Sequence, residues 1–507
     1  MAVFYQVAAE VTGANHFPQP LSWSHSRISF PVSMATPNGE PGSLVGTESA
    51  MARPTGDHVN AEHGLRLPWS RTERPVPRRV VKPLQSFLEQ EAAGGAFLLA
   101  ATVVALAWAN SPWWESYDQL WRNTLTIGIG RWAISEDLRH WVNEGLMALF
   151  FLVVGLEIKR ELVTGDLREI RAAALPVIAA VGGMIVPALI YLAFNAGGEG
   201  APGWGIPMAT DIAFALGVLT IGARRAPANL KPFLLTLAIV DDIGAILVIA
   251  LFYSGGVTLG PLAVAASLCG VIVLCQVINI RATAIYLVLG LGTWIATFES
   301  GIHPTIAGVA LGLLTPAVPF QRPRAVSEEA HRVADKTVDD PVPPDADAHH
   351  WLRLARLTSE AVSPLARVEA ALHPWTGFVI VPLFALANAG IRLSSTALLD
   401  AGTSAIAIGI VAGLVVGKLA GISAASLVAV RAGVGTLPSG VRWRNLLGAA
   451  AVAGIGFTVS LFISELAFTD DRLADTAKVG ILAASLLAGV IGFWLLRWAG
   501  RPDVRDP

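Results

Sequence analysis

Long apolar runs are the feature that most constrains this chain. A helix needs about 20 apolar residues to cross a bilayer, and in lipid only helices and closed barrels satisfy the backbone. The runs lie at about 94–110, 141–157, 172–195, 206–223, 232–253, 260–279, 283–299, 303–318, 374–391, 403–430, 445–467 and 476–498. The pattern predicts an all-α polytopic membrane protein with about twelve transmembrane helices.

Composition supports the bilayer as the main partner and argues against nucleic acid. The 507 residues are 53% hydrophobic and 15% charged, whereas soluble domains carry about 25% charged residues. A net charge of -2 offers none of the basic excess that nucleic-acid binding uses. Cys269 and Cys275 share one apolar run, without metal-like or disulfide-like spacing, and we interpret them as small core residues. No cofactor is expected.

Three kinds of segment divide the chain. Residues 1–83 are rich in Pro, Ser, Gly and His, without a signal-peptide core, which predicts a disordered N-terminal extension. Residues 84–499 form the transmembrane domain, in which 319–373 is a cytoplasmic loop and the start of the ninth helix. Residues 500–507 are a short tail. Met34 and Met51 are alternative starts, so the sequence leaves open whether the extension is translated.

Basic residues return in alternate loops and fix the orientation by the positive-inside rule. The loops "NAGGEGAPGWG", "YSGGVTLG" and "FESGIH" hold no Lys or Arg, so they lie outside and both termini are cytoplasmic. The outer loop at about 111–140 contains the alternating "TLTIGIGRWAIS". This pattern predicts a short β-hairpin with an exposed edge and a homodimer contact, although an ordinary loop fits it equally well.

Two adjacent carboxylates, Asp241 and Asp242, interrupt the apolar run "TLAIVDDIGAILVIALFY". An Asp at the centre of a membrane helix costs about 2.5–3.5 kcal/mol, and such groups are functional by default. Adjacent helical residues point about 100° apart, so the two side chains serve different neighbours. One can face a water-filled cavity while the other pairs with another helix. The alternative is that both are tied up in structural hydrogen bonds.

Other polar or glycine positions interrupt apolar runs at similar depth. They are Thr210 and Asp211 in "PMATDIAFALGVL", Lys418 in "LVVGKLAGIS", and Gly454, Gly456 and Thr458 in "AGIGFTVSLF". Interruptions in corresponding positions of two halves indicate a midplane binding site. The competing interpretations are a snorkelling lysine, threonines bonded to their own helices and glycines that serve close packing.

The motifs together resemble the bacterial NhaA-type sodium/proton antiporters over about residues 87–498. The resemblance is carried by "FFLVVGLEIKREL", "ATDIAFALGVL", "LAIVDDIGAILVIALFY", "SGIHPTIAGV", "PLFALANAG", "GKLAGIS" and "GIGFTVSLFI". It implies an inverted repeat with two broken, crossing helices in the bacterial inner membrane. It also implies a secondary antiporter, not an enzyme, that exports Na⁺ or Li⁺ in exchange for H⁺ and supports pH and sodium homeostasis.

The resemblance assigns roles to the intramembrane residues. Asp242 corresponds to the ion-binding aspartate, and Asp241 to the neighbour that pairs with Lys418; both offer hard oxygen ligands to Na⁺. Asp211 corresponds to the helix crossing, where a negative charge compensates helix N-termini. The crossing also includes Thr210, Gly454, Gly456 and Thr458. Burial disfavours a charged carboxylate, so protons compete with sodium, and more than one proton per sodium makes the exchange electrogenic.

The family's pH-responsive region corresponds to Glu157, Arg160, Glu369 and His373. Here the residues alone are equally compatible with an i, i+3 pair on a solvated helix end and with His373 capping a helix start. Some relatives carry a second histidine where this chain has Ala370. The pH threshold of those relatives is therefore not carried over to this chain. Two further positions are noted: Glu144, which retains the carboxylate of relatives with Asp there, and His303, which we assign a packing role.

Two other classes of membrane protein are alternatives. An intramembrane aspartyl protease needs Tyr-Asp and Gly-x-Gly-Asp on two helices, and this chain has only "GIGF", without the aspartate. A sodium-coupled solute symporter on a related scaffold needs a substrate cavity and no buried Asp-Asp-Lys set. ATP coupling lacks a G-x-x-x-x-G-K-[ST] loop.

Overall fold

The computed structural model describes residues 59–60, 65–66, 91–129, 132–222, 226–339, 344–393 and 402–500. The chain divides into two units, 1–72 and 73–507. In the first, β1 (Val59–Asn60) pairs antiparallel with β2 (Leu65–Arg66). The rest of the predicted N-terminal extension and the tail beyond Gly500 lie outside the described residues.

The second unit is built almost entirely from helices. In chain order they are α1 (Glu91–Ala109), α2 (Trp114–Arg122), α3 (Leu138–His140), α4 (Met147–Val163), α5 (Ile170–Asn195), α6 (Ile212–Gly222), α7 (Leu230–Phe252), α8 (Leu259–Val277), α9 (Thr283–Glu299), α10 (Thr305–Leu314), α11 (Pro323–Asp339), α12 (Pro344–Glu360), α13 (Pro364–Trp375), α14 (Val381–Asn388), α15 (Ala405–Val411), α16 (Lys418–Arg431), α17 (Trp443–Val452), α18 (Phe457–Ala467) and α19 (Asp471–Ala499). Short 3₁₀ segments occur at Asp166–Arg168 and Ala201–Met208, and π-helical segments at Trp141–Leu146, Thr376–Ile380 and Ala412–Gly417.

Length and hydropathy identify the helices that can cross a bilayer. Within the described residues six are long and apolar enough, and three bent pairs raise the number to nine if each pair is one span. The predicted helical, polytopic architecture is therefore confirmed, whereas the count of twelve stays a prediction.

Two of the bent pairs meet at their breaks. The segment Ala201–Met208 bends by 41° into α6, and α17 bends by 45° into α18. Asp211, in the first break, donates its backbone N–H to the carbonyl of Ile455, in the second, at 2.6 Å. The break residues leave backbone groups without partners in their own helices, and the opposite break supplies one.

The helix that carries Lys418 packs closely on α5 through glycines and prolines. A Cβ on Gly417 would lie 2.8 Å from the Cα of Pro187, and one on Gly421 would meet the carbonyl of Gly182. Such small residues let two helix backbones approach closely. The π-helical segment Ala412–Gly417 ends directly before Lys418, and π-helical turns frequently occur at functional sites.

The predicted hairpin in the 111–140 loop is confirmed. Strand β3 (Thr124–Ile129) pairs antiparallel with β4 (Trp132–Asp137), with Thr124 opposite Asp137. Helix α2 precedes it, at 114° to α1. The interpretation as an ordinary loop is wrong, while the homodimer contact stays untested.

The region predicted as the 319–373 loop contains two helices, α11 and α12, which contact each other. Glu360, at the end of α12, binds Arg281 at 2.6 Å and accepts the backbone N–H of Gln321 at 3.1 Å. The ninth predicted helix begins earlier than expected, at Pro364, because the hydroxyl of Ser363 caps it by accepting from the N–H of Ala366. This N-cap falls eleven residues before residue 374, where the apolar run that marked the predicted start begins.

Candidate ion site at the contact of two broken helices

Asp241 and Lys418 form an ion pair deep in the protein. Both side chains are fully buried, and Lys418 Nζ donates to Asp241 Oδ2. Lys418 also donates to the hydroxyl of Thr210 at 3.0 Å. The snorkelling interpretation of Lys418 is therefore wrong, because its ammonium is bound by a carboxylate on α7.

Thr210 connects this ion pair to both breaks. Its hydroxyl oxygen lies 2.6 Å from Asp241 Oδ2 and 2.8 Å from the carbonyl oxygen of Ala453, at the end of α17. One hydroxyl proton serves one of these two acceptors at a time. Thr210 thus bonds across to neighbouring segments, and the expectation that it bonds its own helix is wrong.

Asp242 occupies a different environment from its neighbour, as the 100° offset on a helix requires. It is 6% exposed, and its Oδ1 is buried without a hydrogen-bond partner among the described residues. The Oδ1 of Asp241 is buried and unpartnered as well. A buried carboxylate oxygen without a donor is costly, so these two oxygens are the atoms available to a proton or a cation.

Asp211 caps two helices at once. Its Oδ1 accepts the backbone N–H of Phe214 in the first turn of α6, at 3.1 Å. Its Oδ2 accepts the backbone N–H of Thr458 at 3.1 Å and the hydroxyl at 2.6 Å, in the first turn of α18. Each helix N-terminus carries about half a positive charge, so one buried carboxylate balances both. Thr458, like Thr210, bonds across the breaks.

The glycines of the second break permit this approach. A Cβ on Gly454 would meet the carbonyl of Leu414 in the π-helical segment before Lys418, and one on Gly456 would lie 3.1 Å from the carbonyl of Ala209. The structure therefore places all of the predicted intramembrane residues at one location: Thr210, Asp211, Asp241, Asp242, Lys418, Gly454, Gly456 and Thr458. No group of three or more His, Cys, Asp or Glu side chains that could hold a metal occurs in the described part of the chain.

The predicted pH-responsive residues lie at the predicted cytoplasmic end. Arg160 on α4 donates to Glu369 on α13, so this pair joins two helices rather than one. Glu157 is half-buried, one turn from Arg160, and His373 is exposed in the last turn of α13. The interpretation of His373 as a helix-start cap is wrong, because the helix begins nine residues earlier, at Pro364.

A cluster around His303 was missed by reasoning from the sequence. His303 was assigned a packing role, but its Nδ1 lies 3.2 Å from Glu144 Oε1 and its Nε2 lies 2.9 Å from the carbonyl oxygen of Tyr253. Burial lowers the pKa of His303, but the bond and charge of Glu144, with the Tyr253 carbonyl, outweigh it, so the pKa is raised above its ordinary value. The only signal in the sequence was a histidine just before a helix start. Its partners could not be identified, because Glu144 and Tyr253 are 159 and 50 residues away.

A helical membrane protein that buries an Asp–Lys pair at the contact of two broken helices has the kind of intramembrane ionisable groups that mark substrate and ion pathways. Comparison with known proteins identifies the family. The sequence model described as "Na+/H+ antiporter 1" matches residues 85–496. The chain belongs to this family.

Individual relatives match over most of their length. The protein named Na(+)/H(+) antiporter NhaA 2 of Sorangium cellulosum is 44% identical over 453 residues, covering 88% of this chain and 96% of that protein. The Na(+)/H(+) antiporter NhaA of Syntrophobacter fumaroxidans is 46% identical over 431 residues, covering 83% and 91%. That of Rhodopirellula baltica is 46% identical over 441 residues, covering 84% and 97%. The resemblance predicted from the sequence motifs is confirmed.

Proposed function

We propose that the chain is a secondary antiporter that exports Na⁺, and also Li⁺, in exchange for H⁺ at the carboxylates of Asp241 and Asp242. The observation that carries the proposal is the pair of buried Oδ1 atoms at Asp241 and Asp242, which have no hydrogen-bond partner among the described residues, at the Asp241–Lys418 ion pair. Hard carboxylate oxygens suit these cations. Family membership supports Na⁺ and H⁺ as the two exchanged ions. In this proposal the protein is a transporter and not an enzyme.

The exchange follows from competition for the same oxygens. A cation at Asp242 requires the deprotonated carboxylate, whereas a proton there leaves no charge to hold the cation. Alternating access of such a site to the two sides of the membrane turns this competition into exchange. When Asp241 binds the cation, it separates from Lys418. Asp241 and Lys418 can then exchange protons in addition to Asp242. More than one proton per sodium then moves, and the exchange is electrogenic.

The helix crossing provides a frame that tolerates both states of the site. Asp211 balances the N-termini of α6 and α18 whether or not a cation is bound. Thr210 and the carbonyl of Ala453 lie next to the ion pair and are neutral oxygen ligands for the transported ion. We propose that Gly454, Gly456 and Thr458 keep this contact close while access changes sides.

The architecture we propose has twelve transmembrane helices with an inverted repeat in the bacterial inner membrane. The nine candidate spans, together with Met147–Val163, Thr283–Glu299 and Thr305–Leu314, make up that number in the described residues. Alternating basic loops support cytoplasmic termini. The exposed hairpin β3–β4 supports a homodimer contact, since an unpaired strand edge is a template for pairing.

The cytoplasmic residues Glu157, Arg160, Glu369 and His373 are proposed to set the pH at which exchange begins. Two helices, α4 and α13, are joined there by the Arg160–Glu369 pair. A change of charge beside Arg160 weakens the attraction between the two helices and changes how they pack against each other. The result is sodium export that responds to pH and supports pH and sodium homeostasis.

The test uses everted membrane vesicles energised to acidify their interior, with a dye that reports ΔpH. We expect NaCl and LiCl, but not KCl, to dissipate ΔpH, and Asp242→Asn to abolish the response with the protein inserted. An imposed membrane potential should change the rate if the exchange is electrogenic. No response to sodium or lithium at any pH would reject the antiporter, and sodium uptake that needs an organic solute would support the symporter instead.

A further inference from the structure

A second buried lysine lies outside the ion site. Lys478, in the second turn of α19, is 6% exposed. Its Nζ lies 2.7 Å from Glu465 Oε1 and 3.6 Å from Asp475 Oδ1. A lysine near the end of a membrane helix usually extends its ammonium to the interface. This ammonium is instead buried against α18, the second half of a broken helix.

Helix α18 is short, and its two ends make different contacts. Its first turn holds Asp211 through Thr458, and the hydroxyl of Ser460 donates to the carbonyl of Ile206 at 2.8 Å. Its last turn carries Glu465. Eleven residues rise about 16 Å, so the ion pair of Lys478 holds the end of the helix that is remote from the site.

Lys478 compensates the negative charge at the C-terminal end of α18. A helix C-terminus carries a partial negative charge, and Glu465 adds a full one in the same turn. The side chains of Lys478 and Glu465 are 7% and 19% exposed, so water compensates little of either charge. Removing one member of such a pair leaves the other uncompensated in a poorly solvated place.

We propose that Lys478 and Glu465 are positioning residues for the exchange reaction, a proposal that rests on the proposed function. Neither residue touches the transported ion. Their ion pair fixes the C-terminal end of α18, so that the helix keeps Thr458 on Asp211 and the second break against Thr210. Because a misplacement of 1 Å can cost a site about 10²-fold, loosening the remote end changes the apparent affinity for sodium.

Other charged groups surround the pair, and they define the controls. Asp471 and Asp475 lie on the same helix as Lys478, and Arg139, which follows the hairpin, acts electrostatically on Asp475. Tyr117 on α2 interacts electrostatically with Arg139, Glu465 and Asp475. A matched control is the Arg472–Glu199 pair at 3.7 Å, also next to a broken helix, whose side chains are 77% and 78% exposed. Exposed pairs of this kind contribute little.

The experiment measures ΔpH dissipation in everted vesicles as a function of sodium concentration. The variants are Glu465→Gln, Lys478→Met and the charge-exchanged double variant Glu465→Lys/Lys478→Glu, with Glu199→Gln as the control. We expect each single variant to raise the apparent KM for sodium by about fivefold or more. The exchanged double variant should return to within about twofold of wild type, and Glu199→Gln should match wild type. The amount of inserted protein is measured in parallel.

Each alternative outcome decides the question. Single variants with the wild-type KM and pH profile, even at reduced abundance, would show a merely structural pair and overturn the proposal, as would failure of the charge exchange to restore KM. Single variants that do not insert would show a structural pair and overturn the proposal, whether or not the exchanged variant inserts. Wild-type protein that ignores sodium would defeat the proposed function itself. Active wild type with inactive Asp242→Asn and normal single variants would defeat this inference alone.

Discussion

Among the ion pairs that join helices in the described residues, two differ clearly in their access to water. Lys418 and Asp241, at the broken helices, have side chains that are both 0% exposed. Arg160 and Glu369, at the predicted cytoplasmic end, have side chains that are 41% and 11% exposed. The chemical groups are similar, but the energetic consequences of removing one partner are not.

The difference lies in what compensates a charge that loses its partner. At the broken helices both side chains are fully buried, so the desolvation of the remaining charge is uncompensated. At the predicted cytoplasmic end the guanidinium is partly exposed and screened, and such pairs contribute little to stability. This difference supports our proposal that the buried set takes part in ion exchange and that the more exposed pair adjusts when exchange begins.

The largest effect is expected for Asp242→Asn. The substitution keeps the size of the side chain but removes the negative charge that a cation needs. We expect sodium-dependent ΔpH dissipation to disappear while insertion is retained. Normal apparent sodium affinity in this variant would show that the site is assigned to the wrong carboxylate.

Lys418→Ala should be next, because it leaves Asp241 buried without its partner. We expect a loss of about 3–5 kcal/mol in stability, seen as a lower melting temperature, together with slower exchange. The double variant Lys418→Ala/Asp241→Asn removes both charges and should melt higher than the single variant. An unchanged melting profile for Lys418→Ala would contradict the buried pairing.

Thr458→Val sharpens the comparison within the buried set. It removes the hydroxyl that donates to Asp211 at 2.6 Å but keeps the shape and the backbone donor. We expect a loss of about 1.5–3 kcal/mol, as for a bond to a charged group. Thr476→Val, which removes an exposed hydroxyl bonded within its own helix, is the control, and equal melting of the two variants would argue against the double cap.

His303 predicts a pH dependence of stability at the outer end. Its folded pKa is raised, so its contribution is complete below the unfolded value of about 6.5 and is lost as pH rises through the folded value. The melting temperature of wild type should therefore include a fall over this range that His303→Gln lacks. Parallel melting curves against pH for the two proteins would contradict the Glu144–His303 contact.

The smallest effect on stability is expected for Glu369→Gln. Loss of this partly solvated pair should cost about 0–1 kcal/mol, well below the effect of Lys418→Ala. The pH at which exchange begins should nevertheless shift, measured by ΔpH dissipation at a series of pH values. A variant with the wild-type pH profile would remove this region from the proposed pH response.

The sequence predicted the buried set well for a physical reason. Polar groups such as Asp241 and Lys418 are so costly in an apolar run that their presence signals function without knowledge of the fold. The 100° offset correctly separated Asp241 from Asp242. The two breaks were visible as Gly and Thr interruptions, and the hairpin as strict alternation.

Partners distant in sequence could not be predicted in the same way. The Glu144–His303 contact, the Lys478–Glu465 pair and the Arg160–Glu369 joint depend on how helices pack. Near helix ends, charged residues are ordinary and carry little signal. The helices α11 and α12 were missed because they lack apolar runs of spanning length, and the early start at Pro364 depends on a local cap by Ser363.

The most direct test of the central claim measures protons released when sodium binds to the purified protein in weakly buffered detergent solution. If Asp241 and Asp242 serve both ions, sodium should release protons from wild type, with more than one proton per bound sodium, and Asp242→Asn should release none. Sodium binding without proton release, or equal release from Asp242→Asn, would contradict the account.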